Sequence, residues 1–130
     1  MRRLSRFSWN AAVAGLAVAI GVLTAGSLAG AQEVLTYKGE IVEVSCFKKG
    51  VAQSTGAAHV ACAKECVQKG QPLGILTEGD GLVKITGDYA ANKYAKLMDF
   101  IGKTVEVRGT DDRYLDYSRA IKVTSIKLSK

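Results

Sequence analysis

The sequence predicts an α+β domain that is mainly β, with five short strands and two helices. Three observations predict it. Apolar and polar residues alternate with period two in short runs such as Tyr37–Cys46 and Thr104–Gly109. Glu78-Gly79-Asp80-Gly81 joins two apolar runs as a hairpin turn does. Two stretches, Ala57–Lys69 and the segment around Ala90–Ile101, carry helical composition or spacing instead.

The elements follow in order. Tyr37–Cys46 reads as a strand after Gly39, with Val42, Val44 and Cys46 on one face and Ile41, Glu43 and Ser45 on the other. Phe47–Gly56 is a loop of small and polar residues. Ala57–Lys69 has good helix formers and no breaker; Gly70 stands where a helix stops, and Pro72 follows. Leu73–Thr77 and Leu82–Thr86 are the two hairpin strands. Ala90, Tyr94, Leu97 and Ile101 recur at helical spacing, with Asp88 near the start and Gly102 past the end. Thr104–Gly109 is the fourth strand and Asp111–Ser118 a polar loop. Ala120–Leu128 is the last strand, with a bulge expected between Val123 and Ile126, where the apolar phase slips.

Without its first helix this order is β-β-β-α-β-β, that of an OB-fold, a five-stranded Greek-key barrel with its helix between strands three and four. The first helix becomes an insertion between strands one and two. A single OB-like domain over residues 32–130 is the expected organisation.

Residues 1–31 differ in kind from the rest. They hold Arg2, Arg3 and Arg6, no acid, the apolar run Ala11–Leu23 and a small-residue ending at Ala29-x-Ala31. That is the order of a secretory signal peptide cut after Ala31, with a retained N-terminal anchor as the alternative. The expected location is periplasmic or secreted, with no membrane span once the leader is removed. Of the 18 Lys and Arg in the chain, 15 lie beyond residue 31, against 12 Asp and Glu. A net charge of +3 on an exported domain argues against nucleic acid as the partner, although Phe47, Lys48 and Lys49, or Arg113, Tyr114, Tyr117 and Arg119, have the residue types for it. Asp111, Asp112 and Asp116 lack calcium-loop spacing and read as a solvated loop. Composition excludes a disordered tail and a polytopic membrane protein.

The chemistry concentrates in 21 residues, which contain the only His and all three Cys. His59, Cys62 and Cys66 stand at i, i+3 and i+7, within roughly a 60° arc of a helix surface. Cys46 can reach the same face from the end of the first strand. Three thiolates and an imidazole are a sufficient tetrahedral set for Zn²⁺ or Cu⁺. Export offers another reading, because thiols outside the cytoplasm meet oxidants. Cys46 paired with Cys62 or Cys66 would brace the inserted helix and leave one thiol over. Val60, Ala63 and Val67 continue the stripe, so small core thiols are a third reading. An enzyme would use Cys62 or Cys66 as nucleophile with His59 as base, and nothing else in the chain marks a substrate pocket.

Glu43-Val44-Ser45-Cys46, His59-Val60-Ala61-Cys62-Ala63-Lys64-Glu65-Cys66 and Gly70-Gln71-Pro72-Leu73-Gly74 together resemble a group of small exported bacterial proteins of unassigned function. That group has a leader, a first strand ending in Cys, an H-x-x-C-A-x-x-C helix and a G-x-P-x-G turn. The resemblance spans most of residues 37–128 and implies the barrel-like fold and the Cys/His site. Two functions are then expected as alternatives. One is a metal-binding or redox-responsive protein using Cys46, His59, Cys62 and Cys66; the other is a disulfide-braced accessory module that binds a protein partner in the cell envelope.

Overall fold

The computed structural model describes residues 30–130. The leader expected over residues 1–31 lies outside them, apart from Gly30 and Ala31. The strands are β1 (Val34–Glu43), β2 (Leu73–Thr77), β3 (Gly81–Thr86), β4 (Thr104–Arg113) and β5 (Arg119–Leu128). The helices that bear on the site are α1 (Val44–Lys48) and α2 (Val60–Gln68). Among the described residues no helix is long and apolar enough to cross a membrane.

The five strands close into a ring in the order β1-β2-β3-β5-β4, as expected for an OB-like domain. All neighbours are antiparallel except β3 and β5, which run parallel with Ile85 opposite Ile121. Closure falls to β1, which pairs with β4 through Val34–Glu40 and with β2 through Gly39–Glu43. Gly39 and Glu40 belong to both ladders. A β carbon at Gly39 would run into the Leu76 carbonyl, so the strand can change partners there only because the residue has no side chain. Ile41, Ile75, Val83, Ile85, Val105, Val107 and Ile121 fill the ring, and Ala63 and Val67 of α2 join the same core.

Four expectations change. The first strand stops at Glu43, three residues early, and Cys46 sits in the one-turn helix α1. The expected inward–outward alternation also fails at this end, because Ile41, Val42, Glu43 and Val44 are all buried. The helix expected around Ala90–Ile101 is broken. Gly87–Tyr89 and Ala95–Phe100 are 3-10 turns, and Asn92, Lys93 and Tyr94 between them have φ of 51°, 54° and 57°. Tyr94, Leu97 and Ile101 are nevertheless all buried, so the spacing reported the buried face but not the backbone. Finally, Asp111–Arg113 extends β4, because these polar residues alternate along a ladder whose outer side is solvated.

Other expectations hold. β2, β3 and the turn between them are as read, with Thr77 opposite Gly81. The register shift between β4 and β5 passes over Thr124, inside the expected interval. Lys84, almost wholly buried, pairs with Asp116 at 2.5 Å, and its ammonium lies 4.2 Å from the Tyr114 ring centre. Lys84 and Ser118 hold the Asp116 carboxyl well below the usual carboxylate range.

Gly39→Ala should cost about 1–3 kcal/mol, the usual range for overpacking. Gly79→Ala meets no atom within 4 Å and should unfold with the wild type. Thermal unfolding of the two variants checks the difference; equal midpoints would show that ring closure does not depend on Gly39.

Candidate metal centre

The site is built where the chain leaves the ring. Glu43 is the last residue of β1 and is completely buried. Its backbone is still extended (φ −81°, ψ 124°), while its side chain turns back as the N-cap of α1. Oε1 accepts from the Ser45 amide and Oε2 from the Cys46 amide, both at 2.7 Å. A carboxylate held by two amides ends the strand and starts a helical turn. The Val44 amide donates to the Pro72 carbonyl at 3.0 Å, and the Ser45 hydroxyl bonds Gln71 Oε1 at 2.5 Å. These contacts tie α1 to the segment that follows α2.

The other wall is α2. Its approach is set by Gly56, which has φ of 69° and whose amide donates to Glu40 of β1. The turn at Gly56–Val60 packs on Gly102, where a β carbon would lie 2.7 Å from the Gly56 carbonyl oxygen. At its far end Gly70 has φ of 94°, its amide donates to Val67, and the Gln71 amide donates to the Cys66 carbonyl. That is a Schellman ending, and it accounts for Gly70 being a glycine. Ala63 and Val67 point into the core. Cys62 and Cys66, one residue earlier on each turn, lie at the margin, Cys62 exposed and Cys66 half-buried.

The outcome is two overlapping groups. The sulfurs of Cys46, Cys62 and Cys66 all lie within 4.8 Å of one another. A carboxylate oxygen of Glu43, the Cys46 sulfur and a ring nitrogen of His59 also lie within 4.8 Å of one another. The four expected ligands therefore do not make a single mutual set. His59 stands with Cys46 and Glu43, and Cys46 is common to both groups.

All three cysteines are free thiols. Three sulfurs on one ion at about 2.3 Å are roughly 4 Å apart, so the thiol group needs only small side-chain adjustment to take a metal. A disulfide needs two of them at about 2.05 Å, and the i,i+4 pair on α2 is poorly placed for that. Cys46 with either helix cysteine is the better-placed bridge.

Electrostatics single out Cys46. The Glu43 carboxylate beside it, helped by burial and by neighbouring Cys66, pushes its thiol up to about 12. Burial works to raise the Glu43 carboxyl, but the Cys46 thiol and the two amides donating to it outweigh this and keep it below its ordinary value. The Cys46 proton therefore stays on sulfur. His59 is 4% exposed, and its Nε2 is sealed from solvent without a hydrogen-bond partner. A buried polar atom left unpaired costs about 1–3 kcal/mol.

Glu43 was not among the expected ligands. Its signal in the sequence is slight: the second acid of the first strand, three residues before Cys46. Three of the remaining candidates are engaged by neighbouring side chains. Asp112 accepts from Thr86, Asp116 from Lys84 and Ser118, and Arg119 from its side donates to Asp80 and Tyr37. Two clefts, of about 720 and 350 Å³, lie beside β1–β2 and beside Tyr94 and Tyr114, and neither is lined by Cys46, His59, Cys62 or Cys66. No protein-family model, curated protein or solved structure matches the chain.

Alkylation with iodoacetamide near neutral pH, followed by peptide mass, should label exposed Cys62 first and Cys46 last. Glu43→Gln removes the negative charge that raises the Cys46 thiol and should speed labelling of Cys46 by tenfold or more. Cys46 reacting as fast as Cys62 in the wild type would contradict the hold of Glu43 on the Cys46 thiol.

Proposed function

We propose that the protein is exported and binds a soft metal ion through Cys46, Cys62 and Cys66. The observation that carries this reading is the mutual proximity of three free sulfurs drawn from two separately anchored elements. Three thiolates in a partly exposed group suit Cu⁺, which accepts trigonal sulfur; Zn²⁺ would need a fourth donor. The mature domain begins near Gln32, in the periplasm or outside the cell, on the strength of the Arg-rich, apolar and Ala29-x-Ala31 order of the leader.

The arrangement also answers a problem that such a compartment poses. Disulfide formation starts from a thiolate, and Glu43 keeps the one cysteine able to bridge to α2 in its protonated form. An incoming ion replaces that proton, and the metal-bound sulfurs are then unavailable for bridging. The same proximity supports a second reading, in which Cys46 is oxidised onto Cys62 or Cys66 and the braced domain serves as an accessory module for an envelope partner.

Native mass of the protein isolated without reductant separates these readings. Metal binding predicts the mass of the cut chain plus one ion, lost on denaturation, and a fall in Cu⁺ affinity of at least about a hundredfold in Cys46→Ser. A metal-free mass two hydrogens light would support the braced module and overturn the metal reading.

A further inference from the structure

We propose that Glu43, Cys46 and His59 form a second coordination position, overlapping the thiol group only at Cys46, that takes a divalent ion of borderline softness such as Zn²⁺ or Co²⁺. The proposal rests on the metal-binding reading and adds a position that uses only one of the three cysteines.

Two independent observations meet at this position. One is geometric: a Glu43 oxygen, the Cys46 sulfur and a His59 ring nitrogen lie within 4.8 Å of one another. The other is the condition of His59, which is 96% buried and whose Nε2 has no hydrogen-bond partner, alone among the buried side-chain nitrogens and oxygens of the described residues. Native proteins rarely leave such an atom unpaired, and an ion would supply what it lacks. Each Glu43 oxygen accepts one amide, which leaves lone pairs on both for a cation.

The donor types set the choice of ion. One carboxylate, one imidazole and one thiolate, with a water as fourth donor, are a mixed set that Zn²⁺ accepts at about 2.0–2.3 Å, whereas Cu⁺ favours the three sulfurs nearby. Binding removes the Cys46 proton to solvent. The charges of Glu43 and the Cys46 thiolate then balance a divalent ion, with His59 neutral. Burial of Glu43 and His59 places this ion deeper than one held on the thiol group, where Cys62 is exposed.

Co²⁺ is the probe, because its thiolate charge-transfer band reports sulfur ligation. The reduced full-length chain is titrated anaerobically with Co²⁺ and, separately, with Cu⁺. The double variant Cys62→Ser/Cys66→Ser should still bind one Co²⁺ with a single-thiolate band, at an affinity within about tenfold of wild type. Adding His59→Phe to that background should lower Co²⁺ affinity by a hundredfold or more, while His59→Phe alone keeps Cu⁺ binding within a few-fold. His59→Gln serves in its place if the Phe variant unfolds earlier than its parent. Loss of Co²⁺ binding in the double variant, with wild type still binding Co²⁺, would overturn the second position and leave the thiol site standing. Unchanged Co²⁺ affinity on substituting His59 would overturn it as well. A wild-type chain that takes neither ion would overturn both readings.

Discussion

The buried carboxylate of Glu43 is the contact on which the site depends. It ends β1, caps α1 by two amides at 2.7 Å and, lying beside the Cys46 sulfur, pushes that thiol up. A carboxylate is costly to bury unless its lone pairs are used, and here they are used by the backbone that must change direction. Without the cap, the apolar alternation through Val42 and Val44 would carry the chain onward as strand and take Cys46 away from α2. Position and protonation of the shared cysteine thus come from one side chain.

The ring supports this by holding both ends of the site rigidly. β1 passes from the β4 ladder to the β2 ladder at Gly39–Glu40 and stays paired with β2 as far as Glu43, so its end is held where α1 begins. α2 is anchored at its start through Gly56, Glu40 and Gly102, and at its end through Gly70 and the Ser45–Gln71 bond. Two short helices that would be marginal alone are thereby set against each other. The thiols need little rearrangement to meet an ion, so little of the binding energy is spent on ordering them.

Much of the fold could be read from the residues, and the misreadings share a cause. The hairpin, the strand phases and the Gly70 stop depend on local chemistry and came through. The role of Glu43 is not legible in the residues, because an acid that continues an alternating strand looks outward-facing and its capping role exists only once the chain turns. The Ala90–Ile101 spacing identified buried Tyr94, Leu97 and Ile101, but i+3 and i+4 steps also fit 3-10 turns joined through a left-handed Asn92–Tyr94. Asp111–Arg113 carries no apolar phase, so nothing in its residues marks it as the end of β4, which its ladder with β5 makes it. Within the site, the cysteines and the histidine were evident from spacing; their division into two groups sharing Cys46 needs the three-dimensional path of β1 into α1.

X-ray absorption at the copper edge of the Cu⁺-loaded chain tests the account most directly, because it counts sulfur neighbours. The arrangement of Cys46 beside Cys62 and Cys66 predicts three sulfurs around copper in the wild type and two in Cys46→Ser. Two sulfurs in the wild type, unchanged in Cys46→Ser, would mean that α2 binds the ion alone and that the capped turn at Glu43 does not build the site.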